Sequence, residues 1–366
     1  MSRSAWTPRT IVERSLGLAA LVIALLGPAI FSSYFTTTIL TSTFIFGIAA
    51  ASLIFLSAYG GMISLAQTAL MGIAGYVVGN LVTKGGAGGE TKGLILGWDP
   101  TLALVLAIVI TTTIGLILGL VASRSFGIYF LMLTLTFGVI ANYFFGQVTK
   151  LGGFSPIASI NLYMPGWIGD IVGHPDKLYY IALGVSLFVY VLIRYLVRTP
   201  FGISLQGQRD EPVRLASLGY TVPLHRAIAF AFGAFVASLA GVLFVWWDGQ
   251  ISPQNLGLGA TIDLLIIAVI GGLGRVEGAW LGAFAFIVIN NYVRDIQFPF
   301  ASEKGVLPWV GGSFNTVIGV VFLLIVLLSP GGLMGIWDRM WDAARRRSRP
   351  PRAKSDGSEP AAATSS

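Results

Sequence analysis

The sequence predicts an all-α, polytopic integral membrane protein, a bundle of about eight to ten transmembrane or re-entrant helical segments. Of its 366 residues, 55% are hydrophobic and only 11% are charged. Soluble domains carry about 25% charged residues, more than twice the fraction found here. The mean hydropathy of the chain is +0.80, which is also typical of a membrane protein. A helix that crosses the hydrocarbon core needs about 20 mostly apolar residues, and stretches of that length recur along the chain.

Ten apolar stretches are the candidate spans, taken in chain order. They cover residues 15–35, 37–58, 60–82, 100–122, 126–148, 178–197, 225–247, 258–274, 277–293 and 313–330. Gly or polar residues interrupt 60–82 and 258–274, so each of these is either a broken span or a re-entrant segment. Basic residues precede the first stretch, as in a secretory signal. Since no small-x-small cleavage site follows clearly and the stretch is long enough to span, we predict a retained first helix.

Three parts organise the chain: a cytoplasmic N-terminus at 1–14, one membrane domain at 15–335, and a basic, disordered cytoplasmic tail at 336–366. Within the membrane domain, Gly pairs at helical spacing predict close helix contacts in lipid. These pairs are Gly75 with Gly79, Gly115 with Gly119, and Gly278 with Gly282.

The basic residues predict the orientation, because cytoplasmic loops collect Lys and Arg. With ten spans and both termini inside, 17 of the 23 Lys and Arg residues fall on the inner side. This arrangement puts residues 198–226 in the cytoplasm. The net charge of +7 follows the orientation and no base-stacking module accompanies it, so anionic membrane lipid, not nucleic acid, is the expected counter-charge.

Residues 198–226 form a basic, turn-rich segment that contains a short helix with both ends marked. Asp210 is the predicted N-cap, Pro212 suits the first helical position, and Gly219 suits the left-handed residue at which a helix stops. A stiff, polar helical turn that projects from a membrane protein predicts a contact for a soluble partner.

The residues that are missing exclude several kinds of chemistry. The chain has no cysteine and no Gly-Lys pair, so it lacks disulfides, thiolate metal sites and the phosphate-binding P-loop of ATPases. Its two histidines, His174 and His225, fall on opposite sides of the predicted membrane, which leaves no histidine metal pair and no nucleophile triad. We therefore predict no catalytic residue, no metal site and no enzymatic activity for the chain by itself.

Polar residues inside the predicted spans are the candidates for solute contact. Asp263 either lies near the outer end of its span, solvated or capping the helix, or faces a pore or a neighbouring helix. For Gln67 and Asn142, a hydrogen bond between helices is favoured over contact with solute. A single marginal acid argues against a proton-coupled carrier, since such carriers usually hold several buried acids.

Several short motifs, in order, resemble the permease subunits of branched-chain amino acid ABC importers, and the M-type permease in particular. The resemblance covers roughly residues 45 to 335. The motifs are 59–67 (YGGMISLAQ) with Gly72, Gly75 and Tyr76; 127–130 (GIYF) with Thr134 and Leu135; 200–202 (PFG), 209–211 (RDE) and 216–219 (ASLG); then 251–253 (ISP) and 270–274 (IGGLG).

The resemblance implies a subunit of a bacterial-type inner membrane importer that works by alternating access. Its implied partners are a homologous H-type permease, two ABC ATPase subunits that use ATP and Mg, and a soluble substrate-binding protein; the chain itself binds no cofactor. The implied ATPase-coupling residues are Arg209, Asp210, Glu211, Arg214, Ala216 and Gly219. The candidate residues of the translocation pathway are Ser64, Gln67, Asn142 and Asp263.

Alternatives to this assignment remain open. Permeases of urea and short-chain amide importers are closely similar, although the segment after Tyr129 favours the amino acid branch. An ion-coupled secondary carrier, with Asp263 binding the ion, is a second alternative. A structural or regulatory membrane subunit, whose basic tail recruits a partner, is a third.

Overall fold

A computed structural model describes residues 21–83, 93–166, 173–295 and 331–347, with isolated positions at 15, 17, 19, 168, 169, 319 and 323. The predicted N-terminal segment 1–14, almost all of the predicted span 313–330, and residues 348–366 lie outside these ranges. The described part is helical, and its β-structure is limited to an isolated bridge between Ile157 and Ile251.

The helices follow one another in the order predicted for a membrane bundle. They are α1 (Gly27–Ile30), a π-helical turn (Phe35–Leu40) that continues into α2 (Thr41–Gly60), α3 (Gln67–Val82), α4 (Pro100–Ala122), α5 (Ile128–Gln147), α6 (Asp176–Arg198), α7 (Pro200–Asp210), α8 (Pro212–Ser217), α9 (Val222–Asp248), α10 (Leu258–Gly271), α11 (Gly278–Asp295) and α12 (Gly332–Arg347).

Eight helices in the described ranges are apolar enough for the interior of a membrane. Five are also long enough to cross it: Phe35–Gly60, α4, α5, α6 and α9. The other three, α3, α10 and the apolar part of α11 (Gly278–Asn291), are shorter. This count lies within the predicted range of eight to ten segments, so the predicted fold class is confirmed.

The bundle has two ends, which differ in charge. At the basic end, α6 finishes, α7 and α8 follow, and α9 begins. α2 and α4 also finish here, since Arg209 contacts the last turn of α2 and Arg226 contacts the carbonyl of Ser123 after α4. The opposite, far end holds the start of α4 and the end of α9.

The predicted span 60–82 is a broken one, and the re-entrant alternative for it is wrong. α2 finishes at Gly60 and α3 starts only at Gln67, so residues 61–66 cross part of the bundle without helical structure. α3 finishes at the far end, where Leu81 accepts a hydrogen bond from the backbone N–H of Trp98, just before α4 (2.8 Å). The segment therefore enters at one end and leaves at the other.

The core of the bundle is built around α2 and α9. In the apolar stretch of the helix Phe35–Gly60, which includes α2, 83% of the residues are buried, and in that of α9 72% are buried. In α4, α5 and α6 only 22% of the residues in the corresponding stretch are buried. α9 packs against α2, α3 and α4, and α2 packs also against α6 and α11. The open faces of α4, α5 and α6 are thus left for lipid or for another membrane subunit.

The three predicted Gly pairs all lie at close contacts between elements. A Cβ on Gly115 of α4 would lie 2.2 Å from the Cβ of Ala234 on α9, and one on Gly282 would lie 2.1 Å from the carbonyl oxygen of Ile267. Gly75 and Gly79 face Ile251 in the same way. Side chains at these positions would force the backbones apart, which confirms the predicted small-residue packing.

The far end is covered by residues 149–163, which fold over the end of α9. Ile157 exchanges backbone hydrogen bonds with Ile251 at 2.9 and 3.0 Å, and both side chains are fully buried. Beside this cover, Asp99 caps α4 by accepting the backbone N–H of Thr101 at 2.8 Å. That hydrogen bond holds the pKa of the Asp99 carboxyl below its ordinary value.

The prediction that the disordered tail begins at 336 is wrong. α12 runs from Gly332 to Arg347, and Gly332, with a φ of +65°, starts it against residues 269–272 of the α10 end. Leu333, Ile336 and Met340 recur at helical spacing. This apolar periodicity favours a helix, although the composition becomes polar after Trp341.

Candidate functional site

The segment 198–226 contains two helices in place of the single one predicted. α7 occupies 11 residues, from Pro200 to Asp210, and was not among the helices predicted from the sequence. Thr199 caps it by accepting the N–H of Gly202 at 3.4 Å, and Pro200 takes the first position. A Cβ on Gly202 would lie 2.3 Å from the carbonyl of Leu196, so glycine is required at this tight turn. The Thr-Pro pair is the sequence pattern that indicates this start.

The second helix, α8, has the predicted body but a different N-cap. Asp210 is the last residue of α7, and Glu211, with extended backbone, is the residue before α8, so the prediction of Asp210 as N-cap is wrong. The reason is that α7 continues to Asp210 and leaves one residue for the turn. Pro212 stands at the first helical position, and the Glu211 carboxylate lies 3.6 Å from the Arg214 guanidinium.

Gly219 ends α8 in the left-handed conformation, as predicted, with a φ of +88°. The backbone N–H of Gly219 donates to Ala216 at 3.0 Å and that of Tyr220 donates to Leu215 at 3.4 Å. These two bonds form the Schellman motif, which satisfies the last carbonyls of the helix. The short helix is therefore closed by hydrogen bonds at the residue where the chain turns toward α9.

α8 projects from the bundle and presents apolar side chains. Leu215 is the buried residue of α8, and its methyl group lies beside Gly207 of α7. In contrast, Val213 is 80% exposed and Leu218 is 69% exposed. The candidate coupling residues predicted from the sequence do not include these two. Large apolar residues among charged neighbours, outside any membrane-length stretch, are the pattern that indicates them.

The six predicted coupling residues divide into two groups. Glu211 is exposed directly before α8, Arg214 and Ala216 are exposed on it, and Gly219 closes the turn that follows it. Arg209 instead faces the bundle, where it donates a hydrogen bond to the carbonyl of Ala58 and pairs with the Asp210 carboxylate at 2.8 Å. Its aliphatic part covers Gly61, so Arg209 caps the end of α2.

An aromatic contact joins α7, the end of α8 and α9. The His225 ring stacks on Phe201 of α7, with 5.6 Å between ring centroids and 17° between planes. Tyr220 meets the same ring edge-on at 5.4 Å. The three elements around the projecting helix are thus held together by side chains as well as by the chain itself.

Ser64 and Gln67 form a buried polar cluster near the break before α3. Ser52 of α2 donates to the Gln67 side-chain oxygen at 3.1 Å, and the Gln67 amide donates to the Ser64 hydroxyl at 3.4 Å. All three side chains are fully buried. Gln67 therefore makes the hydrogen bond between helices that was favoured for it, and in this conformation neither it nor Ser64 faces an open passage.

The break before α3 leaves backbone groups that need partners, and α5 supplies one. The buried hydroxyl of Thr134 accepts the N–H of Leu65 at 3.1 Å and donates to the carbonyl of Leu131 at 2.9 Å. An unpaired N–H inside a bundle costs free energy, so this bond helps to hold residues 61–66 in their non-helical form.

Asn142 and Asp263 have different surroundings. The half-buried Asn142 donates from its amide to the carbonyl of Pro253 at 2.6 Å, which links α5 to the segment before α10. Asp263 is exposed in the second turn of α10, the sixth of its 14 residues, and both alternatives stated for it stay open. Within the described ranges no group of three His, Asp or Glu residues is arranged to hold a metal ion.

A second polar contact at the basic end was not predicted from the sequence. Glu277, in the turn between α10 and α11, pairs with Arg194 at 3.0 Å and accepts the hydroxyl of Tyr190 at 3.2 Å. Both partners lie near the end of α6, so the pair ties the α10–α11 hairpin to the helix that leads into α7.

Comparison with known proteins gives a family match over most of the chain. Residues 35–328 match the model of the family described as branched-chain amino acid transport system, permease component. The chain belongs to this permease family. The match includes every span of the described bundle and the whole of α7 and α8, so the permease is a multi-pass membrane protein.

Individual relatives agree with the family. The permease is 25% identical over 347 residues to LivM of Salmonella typhimurium, a high-affinity branched-chain amino acid transport system permease protein, covering 89% of this chain and 76% of the relative. It is 21% identical over 249 residues to the probable LivM of Methanocaldococcus jannaschii, with 63% and 68% covered. LsrC of Photorhabdus laumondii, an autoinducer 2 import system permease, is 29% identical over 231 residues, with 55% and 65% covered. No solved structure matches.

Proposed function

We propose that the permease is the M-type subunit of an ATP-driven importer and forms one half of a passage, the other half being a homologous H-type permease. Relatives named LivM cover most of the chain, and the probable LivH of Methanocaldococcus jannaschii is 27% identical over 169 residues. The weakly buried α4, α5 and α6 offer faces to such a partner.

The observation that carries the proposal is the projecting helix α8. Val213 and Leu218 are exposed apolar side chains beside Glu211 and Arg214, whose charges favour water over lipid. Lipid therefore does not cover them, and exposed apolar residues in such a place are typical of a protein contact. We assign the contact to an ABC ATPase subunit, with Val213 and Leu218 as apolar anchors and Glu211 and Arg214 at the rim.

In this proposal the ATPases bind ATP and Mg, and the permease supplies the moving passage. Closure of two ATPase subunits displaces α8, and α7 and α9 carry the displacement into the bundle. A soluble binding protein delivers the solute to the far end, where residues 149–163 fold over α9. The broken segment 61–66, with Ser64 and Gln67, is our candidate for the passage lining, because interrupted helices commonly form solute sites in transporters.

The solute that we propose is a branched-chain or other apolar amino acid. The LivM relative matches 89% of this chain, whereas the LsrC relative matches 55%, which favours amino acids over the LsrC type of solute. Urea and short-chain amides are the rival solutes. The ion-coupled carrier is less well supported, since the family match and the LivM relatives favour a subunit of an ABC importer.

We place the permease in a bacterial-type inner membrane with the basic end and both termini in the cytoplasm. Seventeen of the 23 Lys and Arg residues support this orientation. The amphipathic α12 begins at the same end, and its basic residues suit the anionic lipid of the inner leaflet.

The experiment that tests the proposal is recovery of the ATPase with the Val213→Asp permease from native membranes. A charge in place of a buried interface anchor costs about 2 kcal/mol or more, about thirtyfold in affinity. We expect the ATPase to be lost from the purified complex, and ATP-dependent leucine uptake into vesicles to fall at least about tenfold. Glu211→Lys is expected to act in the same direction, with a smaller effect.

The matched control is Leu162→Asp, which changes a 62% exposed apolar residue at the far end. This variant is expected to retain the ATPase as the unaltered permease does. Recovery of the ATPase at normal levels with Val213→Asp would contradict the docking assignment. Absence of any ATPase from the unaltered permease would contradict the proposed function as a whole.

A further inference from the structure

Arg226 is a cationic side chain in an unusual place. It lies in the second turn of α9, seven residues after Gly219, and is only 4% exposed. Four residues, 218–221, separate α8 from the first residue of α9. Arg226 is therefore the first buried charged group that the chain reaches after the projecting helix.

The Arg226 guanidinium touches three other elements. Its Nε donates to the Met62 sulfur, in the break after α2, at 3.1 Å. One terminal nitrogen donates to the carbonyl of Ser123, the C-cap of α4, at 3.2 Å. The guanidinium carbon lies 4.2 Å from the ring centroid of Phe126, which precedes the N-cap of α5, and 5.3 Å from that of Phe130, in the first turn of α5.

Among the described residues no carboxylate pairs with Arg226. Its charge is compensated by a helix C-terminal carbonyl and by two aromatic faces, both of which attract cations. Burying a cation without a counter-charge is costly, and apolar residues of similar volume usually stabilise such a position better. Stability alone therefore gives no reason for an arginine here, whereas a directional link between helices does.

We propose that Arg226 is a positioning residue that transmits the displacement of α8 to the cytoplasmic ends of α2, α4 and α5. This inference rests on the proposed function of α8 as the ATPase contact. The stacked His225 and Phe201 fasten the first turn of α9 to α7, so that turn moves with the projecting helix. Arg226, the next residue, then pulls the ends of α4 and α5 with it through Ser123 and Phe126.

The test uses the assembled transporter in proteoliposomes and measures ATP hydrolysis and leucine uptake in the same sample. In Arg226→Met the length of the side chain is kept and its charge and donors are lost. We expect hydrolysis within about twofold of normal, uptake reduced at least tenfold, and thus a rise of at least fivefold in ATP used per leucine. Arg226→Lys keeps the cation on the aromatic faces and is expected to restore the ratio in part.

The amount of ATP used per leucine distinguishes a loss of coupling from a loss of folded protein. Unfolding lowers ATP hydrolysis and leucine uptake in proportion, so it leaves this ratio unchanged. Arg124→Gln is the matched control: it removes an exposed arginine next to Ser123 and is expected to leave the ratio unchanged. A normal ratio in Arg226→Met would overturn the inference.

A second variant decides the case in which Arg226→Met does not assemble. Phe126 is 54% exposed, so Phe126→Leu removes the ring without opening the core. It is expected to raise the ATP used per leucine about threefold, and an unchanged ratio would overturn the inference. Failure of the unaltered permease to couple ATP to uptake would instead count against the proposed function.

Discussion

At the scale of single residues, a few positions of the 198–226 segment determine the shape of the projecting helix. Pro212 and Gly219 mark its two ends, and both were predicted from the sequence because their backbone restrictions are local. Val213 and Leu218 matter through exposure, which depends on how α8 sits on α7.

Gly219 provides the first residue-scale prediction. In Gly219→Val the β-branched residue must adopt a φ of +88°, which costs roughly 1–2 kcal/mol, although nothing lies within 4 Å of the added Cβ. We expect ATP-dependent uptake to fall about fivefold or more while the melting temperature of the purified permease changes little. Gly219→Asn is the control, since asparagine tolerates the left-handed region, and it is expected to keep most of the uptake. Uptake by Gly219→Val as high as that by Gly219→Asn would show that the left-handed end of the helix has no part in docking.

The charged residues of the site show where reasoning from single residues fails. Asp210 has the chemistry of an N-cap and yet ends α7, because a helix that continues one residue further displaces the cap to Glu211. Arg209 has the chemistry of a surface contact and yet caps α2. In both cases the polar character of the side chain is evident from the sequence, but the neighbouring element decides what the side chain bonds.

At the scale of elements, the apolar stretches predicted the positions of the long helices well. α4 coincides with the predicted span 100–122, and α6 and α9 differ from their predictions by only a few residues. The break at 61–66 was indicated by glycine and polar residues, but its length was not. It depends on contacts with Thr134 and Arg209, both distant in the sequence.

Thr134 provides the element-scale prediction. Thr134→Val keeps the shape of the side chain and removes the acceptor for the N–H of Leu65, which leaves a buried donor unpaired at a cost of about 1–3 kcal/mol. We expect a lower melting temperature of the purified permease and faster proteolysis of the 61–66 segment.

Thr136→Val on the same helix is the matched control, because the exposed Thr136 hydroxyl bonds only the carbonyl of Met132, one turn earlier. Its melting temperature is expected to remain normal. A normal melting temperature for Thr134→Val as well would mean that the broken segment is held by other contacts.

At the scale of the whole molecule, the ends of the bundle differ in charge and in what covers them. The basic end carries α7, α8 and the start of α12, while the far end is covered by residues 149–163. The proposed mechanism requires the basic end to face the cytoplasm, where ATP is available.

Labelling with a membrane-impermeant maleimide checks this orientation directly, because the chain contains no cysteine of its own. Leu162→Cys, at the far end, is expected to react in intact cells. Arg124→Cys, exposed at the basic end, is expected to react only after the membrane is opened. Labelling of Arg124→Cys in intact cells would place α8 outside and would remove the ATPase contact.

The sequence by itself determined the class of this protein, its order of spans, the charged end and the turn that ends α8. These features depend on hydropathy, charge counts and backbone restrictions, which act within about 20 residues. The family match over residues 35–328 agrees with that assignment.

Only the tertiary structure decided which polar residues meet. It joined Ser52 to Gln67, turned Arg209 toward α2, exposed Val213 and placed Arg226 between Met62, Ser123 and Phe126. The contacts of Arg209 and Arg226 join residues about 100 or more positions apart in the sequence. Side-chain partners at such separations follow from the packing of whole helices, which no local pattern specifies.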